Sequence, residues 1–194
     1  MLLNHIILAT LWIVYGVLHS VLASVGVKSK MKQALGKNFK HYRLAYTIFA
    51  ALTLAALVWY QVSIETVRFY KPSFIVVGLG YLVTITGFGI MLTCIKKYFM
   101  SLSGLRSLLQ ETVYPELIIS GIHRHVRHPL YLGTFVFIWG LFILVPLLSL
   151  FIANFIITVY TLLAIPFEEK KLVAEFGDQY KAYQKTVPKI IPKW

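Results

Sequence analysis

Arg127-His128-Pro129-Leu130-Tyr131-Leu132-Gly133 leads into a run apolar enough to sit in a bilayer, and Glu168-Glu169 stands just past its far end. Pro146 divides that run into two stretches, residues 130–145 and 147–165. Apolar helices joined by so short a turn form a helical hairpin, which returns the chain to the side it left. Two clusters some forty residues apart in sequence are therefore expected to meet at one membrane face. Charged groups set against the ends of membrane spans are costly, and so mark candidate sites.

Working outward, three more apolar stretches cover residues 2–25, 44–62 and 73–95. A span needs about 20 apolar residues, so the stretch at 130–145 is short. The first is too long for a signal-peptide core and has no charged leader, so it reads as a retained span. Hydrophobic residues make up 58% of the chain and charged residues 13%. Soluble domains carry about 25% charge, and the mean hydropathy here is +0.74. The expected fold is an all-α integral membrane protein, with about five transmembrane helices and a C-terminal helical hairpin. It reads as one domain, in which residues 1–95 supply three transmembrane helices. Residues 96–194 supply a connector, the hairpin and an amphipathic tail, and form the catalytic region. A single cysteine, Cys94, rules out an intrachain disulfide.

The net charge of +12 would suggest nucleic acid in a soluble protein. Here the cations lie in loops, where they set topology and touch lipid headgroups. No nucleic-acid partner is expected, and membrane lipids are. Threading the five stretches alternately puts 17 of the 19 Lys and Arg on one side. The positive-inside rule makes that side cytoplasmic, with the N-terminus outside and the C-terminus inside. Gly78, Gly80, Gly87 and Gly89 lie within the third stretch. A dinucleotide loop must join a strand to a helix, so these glycines read instead as sites of close helix packing.

Pro129 suits the first position of a helix, where its missing N–H costs nothing. The N–H groups of Leu130, Tyr131 and Leu132 then form an anion-binding helix end beside Arg127. Contact of Arg127 and His128 with lipid phosphate is the plain alternative. Glu168 and Glu169 either cap a tail helix or contact a cationic ligand or a ribose diol. Leu172, Phe176, Tyr180 and Tyr183 recur at helical spacing, as in a helix that lies on the membrane or packs on the bundle. His123, His125 and His128 have no Cys or Asp nearby, so no metal is expected. His5 and His19 read as packing or headgroup residues.

The run Arg127 to Gly133, with Glu168-Glu169, Phe176-Gly177, Tyr180, Tyr183 and Val187-Pro188, resembles the isoprenylcysteine carboxyl methyltransferase family. These are integral membrane enzymes that use S-adenosylmethionine. The likeness covers roughly Tyr114 to Pro192 and implies a prokaryotic member with a cytoplasmic cofactor pocket. It implies that His128, Pro129, Leu130 and Tyr131 hold the methionine part of the cofactor. Glu168 would lie near the cofactor's polar groups, and Leu117, Ile118 and His123 would line the adenosine side. Arg127 and Lys96 would orient the acceptor. Family members often carry arginine at the positions held here by Ala164 and Lys96, and lysine lacks arginine's forked hydrogen bonding.

The function so implied is methyl transfer to a lipidic acceptor, the carboxylate of a prenylated cysteine first. Such a carboxylate is ionised near neutral pH, so alignment matters more than a strong base. Phospholipid N-methylation is an alternative and would need a base, such as His128 or Glu169. NADPH-dependent reduction of a sterol or isoprenoid is another, with Arg124, Arg127, Lys170 and Lys171 on the 2′-phosphate. A structural lipid-binding bundle is the non-enzymatic alternative.

Overall fold

The computed structural model describes residues 1–102 and 117–192, the stretch 97–102 by its backbone alone. Arg106 and Lys193 of the basic count, and Tyr114 at the start of the resemblance, lie outside the described residues. The elements are helices α1 (Leu2–Ala23), α2 (Val25–Leu35), α3 (Tyr42–Ser63), α4 (Phe74–Leu102), α5 (Pro129–Leu144), α6 (Leu148–Phe176) and α7 (Asp178–Thr186). Short 3₁₀ turns cover Gly36–His41 and Gly121–Arg124, and no strand occurs among the described residues. The stretches containing α1, α3, α4 and α6 are long and apolar enough to cross a membrane. The chain is thus an all-α multi-pass membrane protein. At 16 residues, α5 is about 24 Å long, short of a ~30 Å hydrocarbon core.

The chain divides into two compact units. The first comprises Met1–Val67, Leu148–Ile157 and a segment that begins at Lys97 within α4. Its core is Leu8 and Trp12 of α1, Leu57 of α3 and Ala153 of α6. Polar groups inside it are paired, as a low-dielectric interior demands. The Trp12 indole donates to Gln61 Oε1 at 2.9 Å, and His5 Nε2 lies 2.9 Å from Thr66 Oγ1. Ser24 ends α1 and caps α2, its hydroxyl accepting the Val27 N–H. Gly36 ends α2 at φ +49°, a left-handed conformation that a side chain would strain.

The second unit comprises Arg68–Lys96, Tyr114–Leu147 and Thr158–Trp194. Here α4 and α5 pack through glycines contributed by both helices. A Cβ at Gly87 would overlap the Phe137 backbone, and one at Gly140 would meet the Thr84 backbone. Gly80 lies against Leu144 and Ile143, and Gly133 against Ile90 and Met91. The four contacts step along both helices about one turn at a time and run antiparallel. Small residues let backbones approach where lipid supplies no hydrophobic drive for association. Half of the glycine expectation is thereby corrected. Gly78 and Gly89 meet nothing within 4 Å, while Gly133 and Gly140, on the partner helix, complete the contact.

The hairpin turn is Val145-Pro146-Leu147, and the buried Pro146 offers its carbonyl to the Phe69 N–H at 2.8 Å. Beyond it α6 differs from expectation. It does not stop at Ile165 but continues through Pro166 to Phe176. Proline removes one helical hydrogen bond, yet Glu168 to Glu175 is rich in strong helix formers. The two glutamates therefore lie inside a helix and do not cap one. Gly177, at φ +57°, ends α6 and turns the chain into α7. There Tyr180 and Tyr183 are buried, so this part of the amphipathic tail packs on protein.

The glycine contact makes a sharp prediction. Gly87→Leu and Gly140→Leu should each abolish a monodisperse, cooperatively melting protein in detergent. Gly78→Ala and Gly89→Ala should leave the melting temperature unchanged or raise it, since Gly→Ala inside a helix gains up to about 1 kcal/mol.

Candidate active site

Every group considered in this subsection lies in the second unit. Pro129 opens α5, with His128 as its N-cap residue. The Leu132 N–H donates back to the His128 carbonyl at 3.1 Å, so it is not one of the open donors that the sequence suggests. The N–H groups of Leu130 and Tyr131 have no acceptor among the described residues. Just ahead of α5 the chain pairs with the tail, the Arg127 and His128 N–H groups donating to the Pro188 and Lys189 carbonyls at 2.9 Å each.

Consecutive residues on a helix point about 100° apart, which gives the adjacent glutamates different surroundings. Glu169 is buried. Its Oε1 accepts from Arg127 Nε at 2.8 Å and lies 2.6 Å from Nη2. His128 Nε2 stands 3.3 Å from the same oxygen, and Lys189 Nζ 3.8 Å from Oε2. The remaining Arg127 nitrogen, Nη1, donates to the Gln184 carbonyl at 3.0 Å and to the Val187 carbonyl. The guanidinium expected to orient an acceptor is therefore taken up by protein groups. Burial alone would raise the Glu169 carboxyl. The hydrogen bond and charge of Arg127, helped by His128, outweigh burial and hold it below its ordinary value.

Glu168 faces the other way, its side chain 43% exposed. Tyr131 donates its hydroxyl to Glu168 Oε2 at 2.9 Å, and His128 Nδ1 lies 3.7 Å from that oxygen. The His128 and Tyr131 rings stack 5.5 Å apart and 15° from parallel. The result is a half-open carboxylate, two aromatic faces and two open backbone donors at one helix start. A carboxylate beside ring faces suits a cation, and open N–H groups suit an anion. Together they are complementary to an amino-acid zwitterion.

Of the other expected residues, His123 lies in the 3₁₀ turn, its carbonyl accepting the Tyr183 hydroxyl at 2.6 Å. Leu117 and Ile118 are half-buried in the segment before it, and Lys96 is exposed on α4. Among the described residues, no hydrogen bond or ion pair ties Lys96, Leu117 or Ile118 to the His128–Tyr131–Glu168 cluster. The sequence reading missed how Tyr180 is placed. It is 2% exposed, and its hydroxyl has no hydrogen-bond partner among the described residues. Burial, then the charge of Glu169, push this hydroxyl up to about 12, so it stays neutral. A cleft of about 280 Å³ between Pro166, Val173, Gln184 and Lys189 lies on the Glu169 side.

A family model described as phospholipid methyltransferase matches residues 72–179, which include Arg127, His128, Tyr131 and both glutamates. Methanethiol S-methyltransferase 1 of Bradyrhizobium diazoefficiens is 30% identical over 92% of this chain, which spans 63% of that protein's length. Methanethiol S-methyltransferase of Crocosphaera subtropica is 28% identical over 92% of this chain and 71% of its own. Protein-S-isoprenylcysteine O-methyltransferase of Schizosaccharomyces pombe is 36% identical over 77 residues, 39% of this chain and 33% of its own. No solved structure matches the chain.

Because the Glu169 carboxyl titrates lower folded than unfolded, its ordinary value being 4.5, its stabilisation is fully present above about pH 4.5. It is lost as pH falls through the lower, folded value. Melting temperature measured against pH should therefore hold level above about pH 5 and fall below 4.5. Glu169→Gln should melt lower at neutral pH, where removing one partner of a buried pair costs about 3–5 kcal/mol, and should flatten the acid limb. An unaltered acid limb would show that another carboxylate governs it.

Proposed function

The chain belongs to the phospholipid methyltransferase family, and from that premise we propose that it is a membrane methyltransferase that uses S-adenosylmethionine and acts on an apolar thiol. The observation that carries the reading is the zwitterion-complementary site at the start of α5. Glu168 Oε2, held by Tyr131, takes the ammonium of the methionine moiety, and the Leu130 and Tyr131 N–H groups take its carboxylate. The His128 and Tyr131 ring faces suit the sulfonium. S-adenosylmethionine supplies, when bound, a methyl group already activated for displacement.

The chain's own residues do the rest by positioning. Arg127 and Glu169 lock the tail against the start of α5, so His128 and Tyr131 are held before a ligand arrives. Alignment of this kind is worth about 7–11 kcal/mol in favourable cases. Leu117, Ile118 and His123 line the adenosine side, and Lys96 stays a candidate for orienting the acceptor. The basic loops support a cytoplasmic site, with the N-terminus outside and the C-terminus inside.

The thiol is favoured over a carboxylate for two reasons. Relatives similar over nearly the whole chain are named as methanethiol methyltransferases. Arg127, the cation best placed to clamp a carboxylate, is occupied by Glu169 and two tail carbonyls. A lipidic carboxylate such as that of a prenylated cysteine is the second reading, supported by the likeness to the Schizosaccharomyces pombe enzyme over 77 residues.

Calorimetric titration of the detergent-solubilised protein with S-adenosylhomocysteine should show saturable binding. Glu168→Gln should weaken it at least tenfold, about 1.4 kcal/mol, without lowering the melting temperature. Preferential binding of NADPH would move the protein to reduction, and binding of neither would remove the enzymatic reading.

A pH series on methylation separates the acceptors. With a short alkyl thiol the rate should keep climbing with pH well above neutrality, because the thiolate is the nucleophile and a simple alkyl thiol is a weaker acid than a cysteine side chain. A flat profile above pH 6, with a prenylcysteine carboxylate as the better acceptor, would select the second reading.

A further inference from the structure

The first unit holds a cavity of about 300 Å³ between α1 and α3, and no residue of the candidate active site lines it. Leu11, Leu18 and Leu22 line it from α1, and Phe49, Ala50 and Leu57 from α3. Leu11 to Leu22 on α1 is about 16 Å and Tyr46 to Tyr60 on α3 about 21 Å, against a ~30 Å hydrocarbon core. The groove is therefore at least as deep as one leaflet. Bordered by two spans, it must be filled by hydrocarbon, because water has almost no partners there.

Tyr60 closes the groove at one end, its hydroxyl donating to the Asn4 carbonyl, and a His–Tyr pair lies at the other. The Tyr46 hydroxyl lies 2.7 Å from His19 Nδ1, and both residues line the groove. They stand about one turn in from the ends of their helices, where the Tyr42 hydroxyl donates to the Leu22 carbonyl. Immediately beyond comes the segment that joins α1 to α3. It carries Lys28, Lys30, Lys32, Lys37 and Lys40, with Arg43 in the first turn of α3, and no Asp or Glu precedes Glu65. Within it α2 has no buried residue. Val27, Met31, Ala34 and Leu35 fall within about 100° of that helix's circumference, flanked by Lys28 and Lys30 with Lys32 beyond, as in a helix lying at the headgroup level.

We propose that the groove is a site for an anionic membrane phospholipid. One acyl chain lies between α1 and α3, and the phosphate is held by the basic joining segment. The His19–Tyr46 pair supplies hydrogen bonds at the glycerol level. Chain length and charge select this occupant together. A neutral lipid would bring no net charge to this basic, acid-free segment, and a soluble anion would leave the groove unfilled.

Native mass spectrometry of the whole protein, delipidated in detergent and titrated with phosphatidylglycerol or phosphatidylcholine of identical acyl chains, tests this. One phosphatidylglycerol should be retained at least fivefold better than phosphatidylcholine. Ala50→Trp, which fills the groove, should remove retention of both lipids. The surface double variant Lys30→Gln/Lys32→Gln should lower phosphatidylglycerol to the phosphatidylcholine level without lowering the melting temperature. Equal retention of the two lipids by the wild type, or a preference that survives the lysine variant, would overturn the proposal. Displacement of the lipid by an alkyl thiol or a prenylcysteine would also overturn it and make the groove an acceptor channel. The readout is the mass of retained lipid, so it stands whether or not S-adenosylhomocysteine binds.

Discussion

The buried pair of Arg127 and Glu169 is the interaction on which the rest of the second unit turns. A lone charge removed from water costs several kcal/mol, and a pair is tolerated when further hydrogen bonds satisfy its remaining atoms. Here they do: Nε and Nη2 meet Glu169, and Nη1 meets two tail carbonyls. This arrangement joins three pieces of chain that are distant in sequence: the approach to α5, the far half of α6 and the segment after α7. A pair of this kind is a device for specificity more than for stability. Its geometry admits one register of the tail, and the two consecutive backbone hydrogen bonds to Pro188 and Lys189 record that register.

The glycine contact of α4 with α5 sets a second constraint, from the hydrocarbon side. Close backbone approach along four successive turns leaves little freedom for α5 to slide or tilt. The α5 start is thus held at both ends, by tight packing toward the membrane and by the ion pair toward the aqueous face. Its first turn can then present open N–H groups at a defined place, which is what recognition of a small polar ligand by backbone requires. If those donors hold the ligand as proposed, side-chain variation at Leu130 is tolerated and change at Pro129 or Gly133 is not.

Much of this was legible in the sequence where the signal was periodic or compositional. The apolar runs, the short fourth one and the hairpin turn at Pro146 follow from hydropathy, and the meeting of the two clusters follows from the hairpin. The continuation of α6 past Pro166 did not follow, because proline's local rule was overridden by the helix formers after it. Nor did the choice of glycines, since Gly78 and Gly80 differ only in which face meets α5, and that depends on the partner. The Arg127 partners were hidden for another reason. Gln184 and Val187 accept through backbone carbonyls, which carry no side-chain signature.

The division between Glu168 and Glu169 shows most clearly how the fold shapes the chemistry. Two adjacent carboxylates look interchangeable in sequence, and a pair of acids is easily read as an acid–base couple. Helical geometry separates them. One is buried against a guanidinium and titrates low, so it is a poor base near neutral pH. The other, held by a tyrosine hydroxyl and 43% exposed, is a fixed negative charge open to a ligand. Neither placement is that of a general base, and the nearby imidazole of His128 is stacked on Tyr131. A site built this way favours a reaction limited by alignment, with the acceptor ionised before it arrives. Under the proposed reading a thiolate or a carboxylate fits that requirement, and an amine that arrives protonated, with no lone pair to take the methyl group, does not.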